Sequence, residues 1–235
     1  MRWRFLGLGW GYAIGEFVIV VAGVLIALAM DGWNDDRLNR FEEAELVERL
    51  ISDLERDARH IDRGLGLLAG KTESLDRVEA TLAAEVEPDD PAGFLGDVVE
   101  GAQYGWNQAT ARRVTFDELL GTGKFGLITD RDLRVGIAEY YALDDSVHDR
   151  IDERETRYPH LSYQLVPRAN EFDLQQNLSD DEIRRLVAGV FASPLRHHVI
   201  AEINLARFMR ERLVALQTEG RQLIEQLQTH LDSMR

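Results

Sequence analysis

The sequence predicts an all-α protein, in which one N-terminal transmembrane helix continues into a long-helix coiled-coil or helical-bundle extramembrane domain. Three observations support this. An apolar run from Leu6 to Met30 contains a single charged residue, Glu16. Apolar residues then recur with a four-three spacing that is typical of helix pairing. Short polar residues with capping chemistry mark later helix starts, and no apolar-polar alternation indicates a strand.

The apolar run is long enough to span a bilayer. At about 1.5 Å per residue, a helix from Leu6 to Met30 exceeds the ~30 Å hydrocarbon layer. Trp10 and Tyr12 at one end and Trp33 at the other stand where interfacial aromatic anchors are expected. The alternative is a cleaved signal peptide, with Ala27-Leu28-Ala29 as its small-x-small cleavage site. The length of the run favours the uncleaved anchor.

Glu16 is the unusual residue of this span. A charge well inside a span costs about 3 kcal/mol, so such residues usually face protein or water. Small residues nearby allow helices to approach closely, which predicts a homo-oligomer with Glu16, Gly15, Gly23 and Ala27 as the candidate contact positions. Two alternatives stay open. Glu16 either snorkels or is protonated near the interface, or it relays ions or protons in a stator-like assembly.

A narrow apolar seam follows the span. It consists of Val47, Ile51, Leu54, Ala58, Ile61, Leu65, Leu68, Thr72 and Leu75. Such a seam requires a partner helix, and the last helix, from about Pro194, offers Met209, Leu213, Leu216, Leu223 and Leu227 near heptad spacing. We therefore divide the chain into a tail and span (residues 1–31), a long heptad-patterned helix (32–86) and a helical bundle domain that completes the core with that helix (87–235). A break near Gly70 is the alternative for the long helix.

Capping chemistry predicts where the later helices begin. A short polar side chain accepts hydrogen bonds from the free amides of a first turn, and proline fits the first helical position. Five pairs have this pattern: Thr115 with Glu118, Thr129 with Asp132, Ser179 with Glu182, Asp90 with Pro91, and Ser193 with Pro194. Gly121 is predicted to end a helix and Gly123 to allow the chain to reverse.

Composition and motifs argue against catalysis. The net charge of -15 disfavours nucleic acid, and the absence of cysteine excludes thiolate chemistry. "GTGKFG" lacks the phosphate-loop spacing and is predicted to be a turn. Asp57-x-x-His60 and Asp145-x-x-His148 have the spacing of di-iron ligands, yet solvated helix faces explain them better in so acidic a chain. We expect no catalytic residue, no metal, no cofactor and no enzymatic activity.

Two segments together resemble a family of uncharacterised bacterial single-span membrane proteins. They are "YAIGEFVIVVAGVLIALAMDGWND" and, from Thr115 to Tyr141, "TFDELLGTGKFGLITDRDLRVGIAEYY". Asp31 and Gly32 stand where that family has an Asn pair. The resemblance implies a helical domain anchored in a bacterial inner membrane, with no assigned activity.

Topology and function follow as expectations. Arg2 and Arg4 precede the span and acidic residues dominate just after it, which together with the resemblance predicts a cytoplasmic N-terminus and a periplasmic domain. The expected function is a homo-oligomeric scaffold or sensor that contacts the lipid bilayer and binds a membrane or periplasmic partner protein. The alternative is an ion- or proton-conducting or stator-like assembly that uses Glu16.

Overall fold

The computed structural model describes residues 9–103, 113–152, 156–166 and 178–234, and within these ranges it contains seven α-helices and no strand. The predicted all-α class is therefore confirmed. One long helix from the N-terminal part of the chain provides the axis, and the shorter helices pack around its second half.

Helix α1 (Gly9–Ala84) runs without interruption for 76 residues, which corresponds to about 114 Å. It passes through Gly64, Gly66 and Gly70 as regular helix, so the alternative of a break near Gly70 is wrong. Burial of one face against the bundle offsets the helix propensity that these glycines lack. The helix ends at Ala84, and Glu85 turns the chain with a left-handed φ of 56°.

Six further helices and one 3-10 turn follow within the described ranges. They are α2 (Pro91–Glu100), α3 (Val114–Gly121), the 3-10 turn (Lys124–Leu127), α4 (Arg131–Asp152), α5 (Tyr158–Leu165), α6 (Asp180–Ala192) and α7 (Arg196–Met234). Helix α7 forms the largest contact with α1. Its direction is antiparallel, because His230 lies beside Glu43 whereas Arg196 pairs with Glu85. Helix α4 covers α7, and α2 packs between α1 and α6.

The seam of α1 is partly as predicted. The positions Val47, Leu54, Ile61, Leu68 and Leu75 are all buried. The second line of the seam is only partly right, because Ile51 is buried whereas Ala58, Leu65 and Thr72 are only half-buried. The buried companion line is Glu43, Leu50, Asp57, Gly64, Lys71 and Val78, again at seven-residue spacing. Three of these residues are charged, which hides the line from a search for apolar periodicity.

The seam of α7 is as predicted. Met209, Leu213, Leu216, Leu223 and Leu227 are all buried. The buried residues of this helix also include Glu202 and Gly220, two residues that apolar periodicity does not select.

Local rules place some helix starts correctly and miss others. Asp90 caps α2 by accepting from the Gly93 amide, and Ser179 with Glu182 forms the predicted capping box of α6. Gly121 ends α3, and Gly123 adopts a left-handed φ of 71° as predicted. The last helix begins at Arg196, two positions after Pro194. The expected caps at Thr115 and Thr129 are wrong, since acceptors from α1 bind both threonines instead.

Candidate functional site

The first half of the described part of α1 lies outside the bundle. Residues 15–41 are exposed on all sides, and the first buried residue is Glu43. The apolar part of this segment has a mean hydropathy of 2.0, and by length and composition it could cross a membrane. We call residues 31–41 the stalk, because they continue the same helix between the apolar segment and the bundle. A single continuous helix therefore connects the apolar segment to the bundle.

The four intramembrane candidates occupy this exposed segment. Glu16, Gly15, Gly23 and Ala27 are all exposed, and a Cβ atom added at Gly15 or Gly23 would meet nothing within 4 Å. Glu16, Gly23 and Ala27 share one side of the helix, whereas Gly15 lies about 100° away from Glu16. We name Glu16, Gly23 and Ala27 the Glu16 face.

The expected interfacial anchors flank this segment. Trp33 lies on the stalk and is 69% exposed. Trp10 and Tyr12 belong to the helical part of α1, but their side chains lie outside the described residues. One anchor position can therefore be located, and its role at a membrane interface stays a prediction.

The Glu16 face and the bundle lie on opposite sides of α1. At about 100° per residue, Gly23 and Leu50 point about 180° apart around the helix axis, and so do Ala27 and Leu54. Leu50 and Leu54 are buried against the bundle. A second helix can therefore approach the Glu16 face without meeting the bundle of its own chain.

A buried carboxylate joins three elements where α1 enters the bundle. Glu43 is 2% exposed, and its Oε1 accepts from the backbone amide of Thr129 at 2.7 Å and from its hydroxyl at 2.9 Å. The same oxygen lies 2.9 Å from His230 Nε2 on α7. The adjacent residue Glu42 pairs with Lys124 of the 3-10 turn. The "GTGKFG" segment is therefore a turn that docks on the end of the stalk.

Asp53 supports α3 from a distance. Its Oδ2 accepts from the Thr115 hydroxyl at 2.7 Å and from the Thr115 amide at 3.3 Å, so it binds a free amide of the first turn of that helix. The sequence pattern predicts Thr115 itself as the residue that caps this helix. The acceptor lies 62 positions away in the chain, beyond the reach of a local capping rule.

An ion pair is buried in the middle of the bundle. Lys71 on α1 pairs with Glu202 on α7, and their side chains are 5% and 2% exposed. Lys71 Nζ also donates to the Gln103 carbonyl at 2.8 Å, and the Thr156 hydroxyl donates to Glu202. The sequence analysis missed both charges. Heptad spacing could have predicted their burial. Lys71 stands in heptad register with Leu50 and Val78 on α1, and Glu202 with Met209 on α7.

The two Asp-x-x-His motifs do not converge as a metal site would require. Asp145 is turned away and pairs with Arg113, whereas its neighbour Asp144 lies 3.3 Å from His148 Nδ1. The expectation of solvated faces is wrong for Asp57, which is 6% exposed. Within the described ranges no group of three or more His, Cys, Asp or Glu side chains is arranged to hold a metal ion.

Titration in this region follows from burial. Burial raises the pKa of Tyr140 and Tyr141 above the ordinary range, and the nearby charges of Asp57 and Asp144 raise it further. Burial also lowers the pKa of His60, with smaller contributions from the charges of Arg63 and His148. Tyr140 and Tyr141 therefore serve as neutral packing groups, and Tyr141 stacks on Phe116 with a centroid distance of 4.3 Å.

Comparison with known proteins gives no relative: no protein-family model, no curated protein and no solved structure matches this chain. The resemblance to a family of single-span membrane proteins stays a prediction.

Proposed function

We propose that this protein is a membrane-anchored helical scaffold or sensor, which self-associates through the Glu16 face and binds a partner protein with its extramembrane bundle. The single observation that supports it most is the continuity of α1, which joins the exposed apolar segment to the bundle core without a break. A rigid connection of this kind fixes the bundle relative to the membrane. The proposal assigns the bundle to binding rather than to catalysis.

The location of the Glu16 face favours self-association. Small residues there permit close helix approach, and Glu16 carboxyl groups that meet near a common axis can share hydrogen bonds instead of facing lipid. The bundle lies on the opposite side of α1 and leaves this approach free. We further propose a bacterial inner membrane location, with the N-terminus in the cytoplasm and the bundle in the periplasm.

Cysteine cross-linking tests the proposal directly, because the chain contains no cysteine. Ala27→Cys places a thiol on the Glu16 face, and Leu25→Cys places one about 160° away on the same helix. Under mild oxidation in native membranes we expect a disulfide-linked dimer from Ala27→Cys and none from Leu25→Cys. Equal cross-linking at the two positions, or none at either, would refute self-association through this face.

Variants of Glu16 separate the scaffold from the conducting alternative. Glu16→Gln keeps a hydrogen-bonding group of the same shape, whereas Glu16→Ala removes it. A scaffold should retain its oligomeric mass and its cellular function as Glu16→Gln and lose both as Glu16→Ala. Normal assembly with lost function in Glu16→Gln would instead support a relay of protons or ions.

A further inference from the structure

A groove with charged walls runs along the outer surface of the bundle between α4 and α7. Its volume is about 1010 Å³. The two helices that form its walls are antiparallel, since Gly136 lies beside Leu223 and Tyr140 beside Gly220. The groove begins near Asp130 and His230, close to the point where α1 enters the bundle. We call it the α4–α7 groove.

Five carboxylates line this groove: Asp130 stands at one end of it, and four stand on its helical walls. Asp132 and Glu139 belong to α4, and Glu219 and Glu225 belong to α7. All four are exposed, and within the part of the chain that the structure describes none of them forms an ion pair. The groove therefore concentrates negative charge.

Three basic residues of the two wall helices are bound elsewhere, among them His230, which lines the groove and lies 2.9 Å from Glu43. Arg134 on α4 donates to the backbone carbonyls of Ile128 and Thr129, and Arg221 on α7 pairs with Asp62 on α1. Neither guanidinium lines the groove. Because its carboxylates repel one another, a ligand that brings positive charge gains electrostatic energy there.

The floor of the groove is apolar and open. Leu133, Tyr140 and Leu223 underlie it but are themselves buried, so its accessible apolar surface comes from Val135, which is 46% exposed, and from the half-buried Leu143. At Gly136 a Cβ atom would lie 3.5 Å from Leu223 Cδ1, which is an ordinary van der Waals distance. Helix packing therefore does not require glycine at this position. The missing side chain leaves the floor accessible.

We propose that the α4–α7 groove binds a basic amphipathic helix of a partner protein. Apolar side chains of that helix contact Val135 and Leu143, and its Lys or Arg residues lie over Asp132, Glu139, Glu219 and Glu225. A third helix is the shape that extends two antiparallel helices, and acidic walls around an apolar floor select a basic one. Nucleic acid and anionic lipid carry the wrong charge for this surface. The inference deepens the proposed function, on which it rests, by defining the chemistry of the partner.

Peptide binding to the full chain in nanodiscs of neutral lipid tests the proposal. The probe is a synthetic helix of about 18 residues with Leu on one face and Lys on the other, and the control peptide has Glu in place of each Lys. We expect only the basic peptide to bind. The double variant Glu139→Lys with Glu219→Lys should raise its Kd by about tenfold or more. Gly136→Leu, which fills the floor, should also weaken binding without changing the charge.

A matched charge reversal guards against nonspecific attraction to an acidic protein. Glu55→Lys with Glu211→Lys changes the net charge equally at exposed positions outside the groove. This control should bind the peptide as the wild type does. An equal loss in the control, no loss in the groove variants, or uptake of Ca²⁺ by a protein that ignores the peptide would each overturn the proposal. These readouts do not depend on self-association, so they are distinct from the cross-linking result.

Discussion

Glu43 on α1 and His230 on α7 are 187 positions apart in the chain, yet Glu43 Oε1 and His230 Nε2 lie 2.9 Å apart. The same oxygen accepts from the amide of Thr129 at 2.7 Å. One carboxylate therefore fastens the last turns of α7 and the approach to α4 onto the point where the stalk enters the bundle. A displacement of α1 at this point must either break these hydrogen bonds or move α7 and Thr129 together with it.

Removal of the Glu43 carboxylate should destabilise the bundle. We expect Glu43→Ala to lower the free energy of unfolding by about 2–4 kcal/mol, because the Thr129 amide and the His230 imidazole lose the buried carboxylate that binds them. The matched control is Glu45→Ala on an exposed position of the same helix, which should change it by less than about 0.5 kcal/mol. Chemical denaturation followed by circular dichroism measures both. Equal effects would show that the Glu43 bonds contribute nothing in particular.

The buried pair Lys71 and Glu202 should be costly to break and cheap to replace. Glu202→Gln leaves the Lys71 ammonium buried with a carbonyl partner and should cost about 3–5 kcal/mol. The double variant Lys71→Met with Glu202→Leu removes both charges and should recover most of that loss. A double-mutant cycle in the free energy of unfolding measures the coupling. Purely additive single effects would contradict a direct interaction.

The apolar seam of α1 should tolerate charge only where it is exposed. Leu54 is 1% exposed and Leu67, on the same helix, is 54% exposed. Leu54→Asp should cost several kcal/mol, since it buries a carboxylate without a partner. Leu67→Asp should stay within about 0.5 kcal/mol of the wild type. Thermal unfolding of the two variants provides the comparison, and similar transition temperatures would contradict the burial of Leu54.

His60 should make the fold sensitive to mild acid. Its pKa is lowered in the folded chain by burial first, and Arg63 donates to Nδ1 at 3.2 Å, a bond that requires the neutral ring. The unfolded chain, with an ordinary His pKa near about 6.5, takes up the proton more readily. Stability is therefore fully present above that value and decreases as the pH falls below it.

Replacement of His60 isolates this contribution. We expect His60→Gln to lose less stability than the wild type between about pH 7.5 and pH 5.5, since no proton is taken up at that position on unfolding. Urea unfolding at several pH values measures the slope. His160, which is exposed on α5, supplies the control as His160→Gln, and its slope should match the wild type. An unchanged slope in His60→Gln would contradict the role of His60.

Features that depend on near neighbours in the chain can be predicted from the sequence alone. The apolar segment around Glu16 is uninterrupted, Asp90 precedes Pro91, and Ser179 stands three positions before Glu182. Each pattern acts within one helical turn or within one span, so local chemistry suffices to predict it. The seam line through Leu54 and Leu68 also follows from apolar periodicity alone.

The burial of the charged residues in the α1 seam depends on tertiary contacts. Glu43 and Lys71 occupy core positions. Burial of a charge without a partner there would cost more free energy than local helix propensity could offset. Partners from distant parts of the chain offset that cost: His230 and Thr129 bind Glu43, and Glu202 pairs with Lys71. A non-local contact of the same kind lets Asp53 bind the first turn of α3. Packing against the bundle keeps α1 helical through Gly70. Burial of a charge depends on its partner, and the partner of a residue is a property of the fold rather than of its neighbours in the sequence.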